Sequence, residues 1–194
     1  MKKITILFAF LIAGFGLIAQ EEYKLSKSSV KMSGTSTLHD WTADVTKVSG
    51  NGKLTFANNA LSGIKALNIN MTTNSIKSSK GETMDKNMNK ELKAKEHPTM
   101  TYSLTKVNSI NQKAGVYTLE TEGKLTIAGT TKSVSLSVTG KQSGNEITFK
   151  GSTKLKMTDF KVEPPVMFLG TLKTADDVTI NFEATFTNNG LTSK

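Results

Sequence analysis

Apolar and polar residues alternate along most of the chain, and this period of two is typical of β-strands with one buried face. In the stretch 67–71, for example, Leu, Ile and Met alternate with Asn. Several alternating stretches exceed the usual strand length of about 5–6 residues. Long, two-faced strands that follow one another predict a mainly β fold of about eight antiparallel strands, arranged as a single extended β-barrel or as a strongly curved sheet rather than as a sandwich. The alternating stretches are 41–45, 54–56, 67–71, 100–104, 117–127, 134–138, 147–157 and 178–186.

Glycine and asparagine lie between these stretches, where turns are expected. We interpret Gly50-Asn51-Gly52 and Asn58-Asn59 as two of the turns, and Gly123 as the start of a strand after another. The longest irregular segment, 159–170, carries the apolar run 166–169. We expect this segment to close one barrel end, to contribute to a ligand gate, or to be buried under the rim.

One segment departs from the alternation and predicts a short amphipathic helix over 82–96. Its apolar residues recur every fourth position, which forms one stripe on a helix. Thr83 is the candidate N-cap, and His97-Pro98 ends the helix because the residue before a proline favours extended backbone. The stripe consists of Met84, Met88 and Leu92. We expect it to pack on the barrel, either as a fixed plug or at the mouth of a ligand site.

Alternation alone does not say which face of the barrel is inside, since an outer-membrane barrel also alternates. The chain has one Trp and three Tyr, too few for two aromatic girdles, and lysines occur throughout the polar face. We therefore expect an apolar interior and no stable insertion into a membrane. A barrel of this size either packs its interior solid or holds one elongated ligand, and the pattern leaves both open.

The first 19 residues have the pattern of a secretory signal peptide. Lys2 and Lys3 precede an uncharged, apolar run over 4–19. The alternative, a membrane anchor, needs about 20 apolar residues. We predict a signal peptide over 1–19, one domain over 20–194, and a periplasmic location. Because the chain has no cysteine, we expect neither a lipid anchor nor a disulfide framework.

The exported part is positively charged, but its chemistry does not favour a nucleic-acid partner. Without Lys2 and Lys3 the chain has 25 − 2 = 23 basic residues against 16 acidic ones, a formal charge of +7. Every basic residue is Lys, and the sequence lacks Arg, which makes bidentate contacts with guanine and phosphate. We expect no nucleic-acid binding, and a solvated surface with weak attraction to anionic membranes.

The two histidines, His39 and His97, are the main candidates for catalysis or metal binding. No metal-ligand spacing accompanies them, so we expect no metal site. His39 and Asp40 invite a catalytic interpretation with Ser33, Ser36 or Thr37 as nucleophile, but neighbours in a strand point to opposite faces. No nucleophile-elbow motif is present. We expect His39 to be structural or to be a polar group at a pocket mouth, and we expect no enzymatic activity.

Four motifs, in this order along the chain, resemble those of the YceI-like family of exported bacterial proteins with a lipocalin-like barrel. The resemblance covers essentially the whole exported part of the chain. The motifs are GTSTLHDW at 34–41; MDKNM at 84–88 with Leu92-Lys93-Ala94 and His97-Pro98; GKLTIAGTTK at 123–132; and Asp159-Phe160 with DDVTI at 176–180.

The resemblance implies a barrel whose tunnel holds a long amphiphile, such as a polyisoprenoid quinone or a fatty-acid derivative, without chemistry on it. The expected partner is a small lipid, and no cofactor is expected besides that ligand. Each buried apolar carbon contributes about 0.8 kcal/mol, so a few five-carbon isoprene units would hold such a chain firmly. The expected ligand-binding residues are Trp41, Phe56, Met71, Met84, Met88, Leu92, Met100, Tyr102, Leu104, Phe149, Met167, Phe168 and Phe182, with His39 as the polar group at the mouth.

A function of a different class also fits the pattern, namely a non-enzymatic, stress-related structural or interaction protein. Its barrel would have a solid core, whereas a lipid carrier needs a hollow one. The sequence leaves open the identity of the lipid, a delivery partner, and whether the chain forms a homodimer.

Overall fold

The structure is a computed structural model of the chain, and it describes residues 19–167, 171–188 and 190, without the side chains of Ala19, Met167 and Leu172. The predicted signal peptide therefore lies, apart from Ala19, outside the described residues. The elements in chain order are β1 (Ala19–Ser36), β2 (Trp41–Val45), β3 (Val48–Ala57), β4 (Ala60–Thr72), a 3-10 turn (Thr73–Ser75), β5 (Ile76–Ser78), α1 (Glu82–Glu91), β6 (Thr99–Lys113), β7 (Val116–Ile127), β8 (Thr130–Ser143), β9 (Glu146–Lys156), a 3-10 turn (Thr158–Phe160), β10 (Val166–Met167) and β11 (Leu172–Thr187).

Eight antiparallel strands form a closed barrel, in the order β1-β3-β4-β6-β7-β8-β9-β11. The wall closes where β11 pairs with β1, in a register that sets Leu25 opposite Phe186 and Gly34 opposite Val178. Closure pairs the wall strands on both sides and so protects their edges. The predicted single antiparallel barrel with one short helix is confirmed.

One edge of β1 pairs with β11, and the other edge is shared by two partners, β3 and β2. Its first part, 19–24, pairs with 51–56 of β3, whereas 31–34 pairs with 41–44 of β2. Strand β2 in turn pairs with β5, the short strand that precedes α1. The alternating stretch 41–45 is thus a strand, as predicted, but it belongs to a small extension of the sheet and not to the eight-stranded wall.

Two of the predicted glycine turns are wrong. Gly50 and Gly52 lie inside β3, and Gly123 lies inside β7. Their role is close packing: a Cβ atom at Gly50 would come within 2.7 Å of the main-chain O of Asn68, and one at Gly123 would overlap the ring of Tyr102. The turn at Asn58-Asn59 is confirmed, since both residues have positive φ (51° and 62°), which asparagine tolerates.

The helix begins after Gly81 and not after the predicted cap Thr83. Gly81 occupies the N-cap with φ 89°, and no side chain caps the helix. The helix ends at Glu91, earlier than the predicted Glu96, and left-handed Lys93 (φ 51°) turns the chain away. Thr73 donates through its N–H to Pro98 O (2.9 Å) and thus anchors the return into β6.

The end of the barrel remote from α1 is filled by packed aromatic and aliphatic side chains. Tyr23 and Phe56 pack with ring centroids 6.0 Å apart, and the Leu61 N–H donates to the Tyr117 hydroxyl at 3.0 Å. Burial, reinforced by the negative charge of Glu21, raises the pKa of Tyr23 to about 12. This cluster closes one end of the barrel, and the opposite end lies beneath α1.

Candidate functional site

A cavity of about 160 Å³, the lower cavity, lies inside the barrel and is lined by side chains from all eight wall strands. The exceptions to its apolar lining are Ser28, Thr121 and Thr153. The Thr121 hydroxyl already donates to the main-chain O of Leu136 at 3.1 Å. Burial in this wall raises the pKa of Tyr102. Such a space accepts an apolar chain and offers little to a polar group.

A second cavity of about 320 Å³, the upper cavity, lies at the α1 end of the barrel. The apolar stripe of α1 forms one of its sides, and Phe160 and Val162 contribute to the opposite one. This cavity also reaches polar side chains, namely Ser36, His39, Lys80, Thr83, Asn87, Glu91, Lys156 and Thr174.

The two cavities meet at Met32, Ile127 and Ile180, which line both. The cavities are therefore adjacent, and along β1 their combined lining runs from Leu25 to Ser36, roughly 36 Å of strand at 3.3 Å per residue. Each cavity is far larger than the roughly 10–15 Å³ that one water molecule needs. The barrel is hollow, so the solid core that the structural-protein alternative requires is not observed in the described barrel.

The structure distributes the predicted ligand-binding residues over both cavities. Phe56 lines neither, because it packs against Tyr23 in the closed end. The side chain of Met167 and the whole of Phe168 lie outside the described residues. The lower cavity is lined by Met71, Met100, Tyr102, Leu104, Phe149 and Phe182. The upper cavity is lined by His39, Trp41, Met84, Met88 and Leu92.

A buried carboxylate holds α1 over the upper cavity. Asp85, 7% exposed, accepts hydrogen bonds from the main-chain N–H of Ser78 (2.6 Å) and from Nζ of Lys77 (3.0 Å). The bond from Ser78, followed by that from Lys77, lowers the pKa of Asp85. Met84 and Met88 both lie on one side of Asp85 around the helix axis, so this attachment to β5 fixes the direction in which the apolar stripe faces, and the stripe lines the cavity.

The opposite side of the upper cavity is held by a second carboxylate. Asp176 accepts from the hydroxyl (2.7 Å) and the N–H (2.9 Å) of Thr158, and these bonds lower its pKa. They fix the 3-10 turn that carries Phe160, 2% exposed, into the cavity wall. At the rim, Lys156 binds Asp177 at 3.2 Å, and this partner raises the pKa of Lys156.

Trp41 forms the wall between these two sides. It faces Gly34 across the β1–β2 pair, and a Cβ atom at Gly34 would lie 2.5 Å from Cζ2 of the indole. The ring therefore covers the place where β1 has no side chain, and it is 4% exposed. Met32 and Ser36, on the same face of β1, continue the cavity lining on either side.

The His39 loop does not assemble a catalytic pair among the described residues. The Ser36 hydroxyl donates to the main-chain O of His39 (2.7 Å) and not to its ring, while Nδ1 of His39 lies 3.1 Å from the main-chain O of Asp40. His39 and Asp40 lie in a loop, so the predicted strand geometry is wrong there. His39 nevertheless lines the upper cavity, where a mouth group was predicted.

Sequence reasoning missed part of the upper cavity. Thr83, Asn87 and Glu91 recur every fourth residue beside the methionine stripe, so they occupy the adjacent face of α1 at the rim. The spacing of four residues could have identified Thr83, Asn87 and Glu91 from the sequence. Lys80 lies outside the helix, and no periodic pattern marks it. Further lining residues that were alternating positions but not predicted as ligand contacts include Ile69, Leu119, Leu125, Leu136, Val138 and Ile180.

Metal-ligand clusters and long apolar helices are absent from the described residues. No group of three or more His, Asp or Glu side chains there is placed to hold a metal ion. Within the same ranges, α1 and the 3-10 turns are the helical segments, and none has the length and apolar content of a membrane span.

A closed antiparallel barrel that encloses an apolar cavity with a partly polar mouth defines a lipocalin-like β-barrel. The comparison with known families is specific: the YceI-like domain matches residues 22–186. The chain belongs to the YceI family. Among curated proteins, no sequence matches this chain closely enough to count as a relative.

Solved structures share the fold at low sequence identity. BcnA of Burkholderia cenocepacia is 22% identical, with a TM-score of 0.63 over 81% of this chain and 95% of BcnA. A polyisoprenoid-binding domain from Saccharophagus degradans, implicated in plant cell wall breakdown, is 13% identical, with a TM-score of 0.66 over 86% and 98%. The YceI protein of Campylobacter jejuni is 21% identical, with a TM-score of 0.59 over 95% and 97%.

Proposed function

We propose that this protein binds the long apolar chain of an isoprenoid or similar amphiphilic lipid inside its barrel, and carries it in the periplasm after export. The observation that carries the proposal is the pair of adjacent, largely apolar cavities inside the barrel, which share Met32, Ile127 and Ile180 in their linings. The description of the Saccharophagus domain as polyisoprenoid-binding supports the same class of ligand.

The energetics favour a passive carrier. A lipid chain moved from water into the lower cavity gains about 0.8 kcal/mol for each buried carbon, before the entropic costs of binding. A polar end group gains nothing from those walls and stays at the mouth. The proposal includes no chemical step on the ligand.

Export to the periplasm would give such a site a clear use, because a long-chain lipid is almost insoluble in the aqueous periplasm. The pattern of a signal peptide over 1–19 precedes a strand that pairs from Ala19 onwards. Removal of 1–19 would leave the paired part of β1 nearly intact.

The test is the lipid content of protein recovered from its own compartment. The full chain is expressed with its own leader, the periplasmic fraction is purified, and organic extracts are analysed by mass spectrometry. We expect one long-chain lipid at near-stoichiometric amount and an N-terminus close to Gln20. Protein without lipid that also fails to take up decylubiquinone, palmitate or 1-hexadecene would refute lipid binding, and protein retained in the cytoplasm would refute the location.

A further inference from the structure

The methionine side chains of the described residues all lie on the cavity walls. The sequence contains eight methionines, of which Met1 and the side chain of Met167 lie outside the described part. The packed cluster at the closed end of the barrel consists of aromatic and aliphatic side chains and contains none of the described methionines. The remaining six line the lower cavity, the upper cavity or both: Met32, Met71, Met84, Met88, Met100 and Met157. Thioethers are thus concentrated where the lipid is proposed to bind.

These thioethers are the sulfur atoms that an oxidant meets in this protein, because the chain has no cysteine. A thioether sulfur gives two electrons to a peroxide or to hypochlorous acid and gains one oxygen atom. Hydrogen peroxide leaves as water, and hypochlorous acid leaves as chloride and a proton. The product, methionine sulfoxide, is polar where the thioether was apolar, and reductases that use thiols return it to the thioether with release of water. Oxidation therefore makes a cavity wall polar in a reversible step.

Burial divides the six methionines into two groups. Met71 is 9% exposed and Met100 is 4% exposed, and both line the lower cavity. The other four are half-buried and line the upper cavity, namely Met32, Met84, Met88 and Met157. Because the upper cavity lies at the mouth of the barrel, an oxidant that arrives from solvent reaches these four before the buried two.

The upper cavity also accommodates the new oxygen atom better than the lower cavity does. Thr83 and Asn87, next to the methionine stripe on α1, line the upper cavity and carry hydrogen-bond donors. The lower cavity has few polar groups, and its Thr121 hydroxyl already donates to a main-chain oxygen. A sulfoxide at Met71 or Met100 would bury a polar oxygen among apolar walls, which destabilises the fold. Oxidation confined to the upper cavity leaves the barrel folded.

We infer that the half-buried methionines of the upper cavity, chiefly Met84 and Met88 on α1, are a modification site for peroxide or hypochlorous acid, and that their oxidation lowers the affinity of the folded barrel for lipid. The inference rests on the proposed lipid binding and adds a way to regulate it. A sulfoxide at Met84 or Met88 places a polar oxygen against the apolar chain as it enters, so an empty, oxidised barrel loads poorly. A bound lipid covers the same side chains and slows their oxidation.

The first test locates the sulfoxides in the wild-type protein. Protein from the periplasm is freed of lipid, treated with limiting hypochlorous acid, quenched with free methionine and divided on a palmitate resin into binding and non-binding fractions. Trypsin cuts after lysine and places the six methionines in six separate peptides for mass spectrometry. We expect sulfoxide at Met84 and Met88 before Met71 and Met100, and enriched in the non-binding fraction. Protein loaded with palmitate beforehand should be oxidised more slowly at Met84 and Met88.

The second test measures affinity before and after oxidation, by displacement of the neutral dye N-phenyl-1-naphthylamine with palmitate. Oxidation should weaken palmitate binding to the wild type about 10-fold, because a polar oxygen then faces the apolar chain. The double variant Met84→Leu/Met88→Leu, compared with its own untreated form, should lose less than about 3-fold. The matched control Met71→Leu/Met100→Leu removes as many thioethers from the lower cavity and should lose as much as wild type. Methionine sulfoxide reductases, one for each sulfoxide epimer, should restore the wild-type affinity.

Circular dichroism and thermal unfolding of each oxidised sample separate a polar cavity wall from an unfolded barrel. If Met84 and Met88 are fully oxidised and palmitate binds as before, the inference is wrong and lipid binding stands. The same conclusion holds if the sulfoxides form first at Met71 and Met100, or if affinity falls only in samples that have unfolded. If the untreated protein takes up none of decylubiquinone, palmitate and 1-hexadecene, the proposed function itself fails.

Discussion

The carboxylate of Asp85 on α1 accepts a hydrogen bond of 2.6 Å from the main-chain N–H of Ser78, the last residue of β5. This bond and the ion pair with Lys77 attach the helix that covers the upper cavity to the edge of the sheet. The helix has no side-chain N-cap, so this attachment in its first turn is the polar contact that orients it.

We expect Asp85→Asn to loosen α1 and to lower the stability of the protein at neutral pH. The folded-state pKa of Asp85 is depressed, so its contribution to stability is present above the unfolded pKa of about 4 and is lost as pH falls through the folded pKa. The difference in unfolding midpoint between wild type and variant should therefore shrink on acidification. Thermal unfolding across this range measures it.

Asp44→Asn is the matched control, because Asp44 forms an exposed ion pair with Lys31 at 3.3 Å. Such pairs contribute little, and the control should resemble wild type at each pH. A constant midpoint difference for Asp85→Asn from neutral to acidic pH would contradict the role assigned to its charge.

The contact between Gly34 and Trp41 predicts a steric effect. Gly34→Ala would place Cβ 2.5 Å from the indole, so the ring or strand β1 must move. Overpacking of this kind costs about 1–3 kcal/mol, and urea unfolding followed by Trp41 fluorescence should show it together with an altered emission maximum. Ser33→Ala, one residue along the strand, should change the free energy of unfolding by less than about 0.5 kcal/mol. If Gly34→Ala and Ser33→Ala were equally stable, the packing of the Trp41 indole would not depend on the missing side chain at Gly34.

The junction of the cavities predicts a dependence on chain length. Ile180→Trp should narrow the passage between the upper and lower cavities while leaving the mouth open. Long-chain ligands should then lose contacts in the lower cavity. If about four methylenes are no longer buried, at about 0.8 kcal/mol each, the affinity should fall on the order of 100-fold.

Ligands with short chains should bind the same variant almost as they bind wild type. Dye displacement with octanoate and palmitate provides the comparison, and Ile180→Val, which leaves the passage open, is the control. A uniform loss for both chain lengths would show that the two cavities do not act as one space.

The buried hydroxyl of Tyr23 predicts a response to high pH. Burial, then the charge of Glu21, raises its folded-state pKa from 10.0 to about 12. The unfolded chain releases this proton first, so the contribution to stability is full below the unfolded pKa and declines as pH rises towards the folded pKa. Urea unfolding between about pH 9 and pH 11 should give a steeper decline for wild type than for Tyr23→Phe. Parallel curves would exclude Tyr23 as the source.

The alternating pattern predicted long antiparallel strands, and the family resemblance added the barrel. The spacing of Met84, Met88 and Leu92 predicted that a helix exists, but not its cap or its end. Alternation shows which residues share one face of a strand, but it does not give the height of a residue along the barrel axis. For this reason Phe56 was assigned to the ligand site, although it packs at the closed end with Tyr23.

The glycines show a second limit of sequence reasoning. Gly34 and Gly123 each accommodate an aromatic ring from a neighbouring strand, Trp41 and Tyr102 respectively. Whether a glycine makes a turn or leaves room for a ring depends on the residue opposite it, and that residue is known only once the strand register is known. The division of β1 between β3 and β2 is set by the same long-range pairing.

The pairing of β11 with β1 also determines when the barrel can form. The Thr187 hydroxyl donates to the Ser26 hydroxyl across 161 positions of the chain, so the wall is completed only after the 16 residues of β11 are available. Until then β1 and β9 each have one edge without its β11 partner. Contacts of such large sequence separation form slowly. If β11 is truncated, the sheet stays open with its apolar inner face uncovered, so we expect the truncated protein to be aggregation-prone rather than merely less stable.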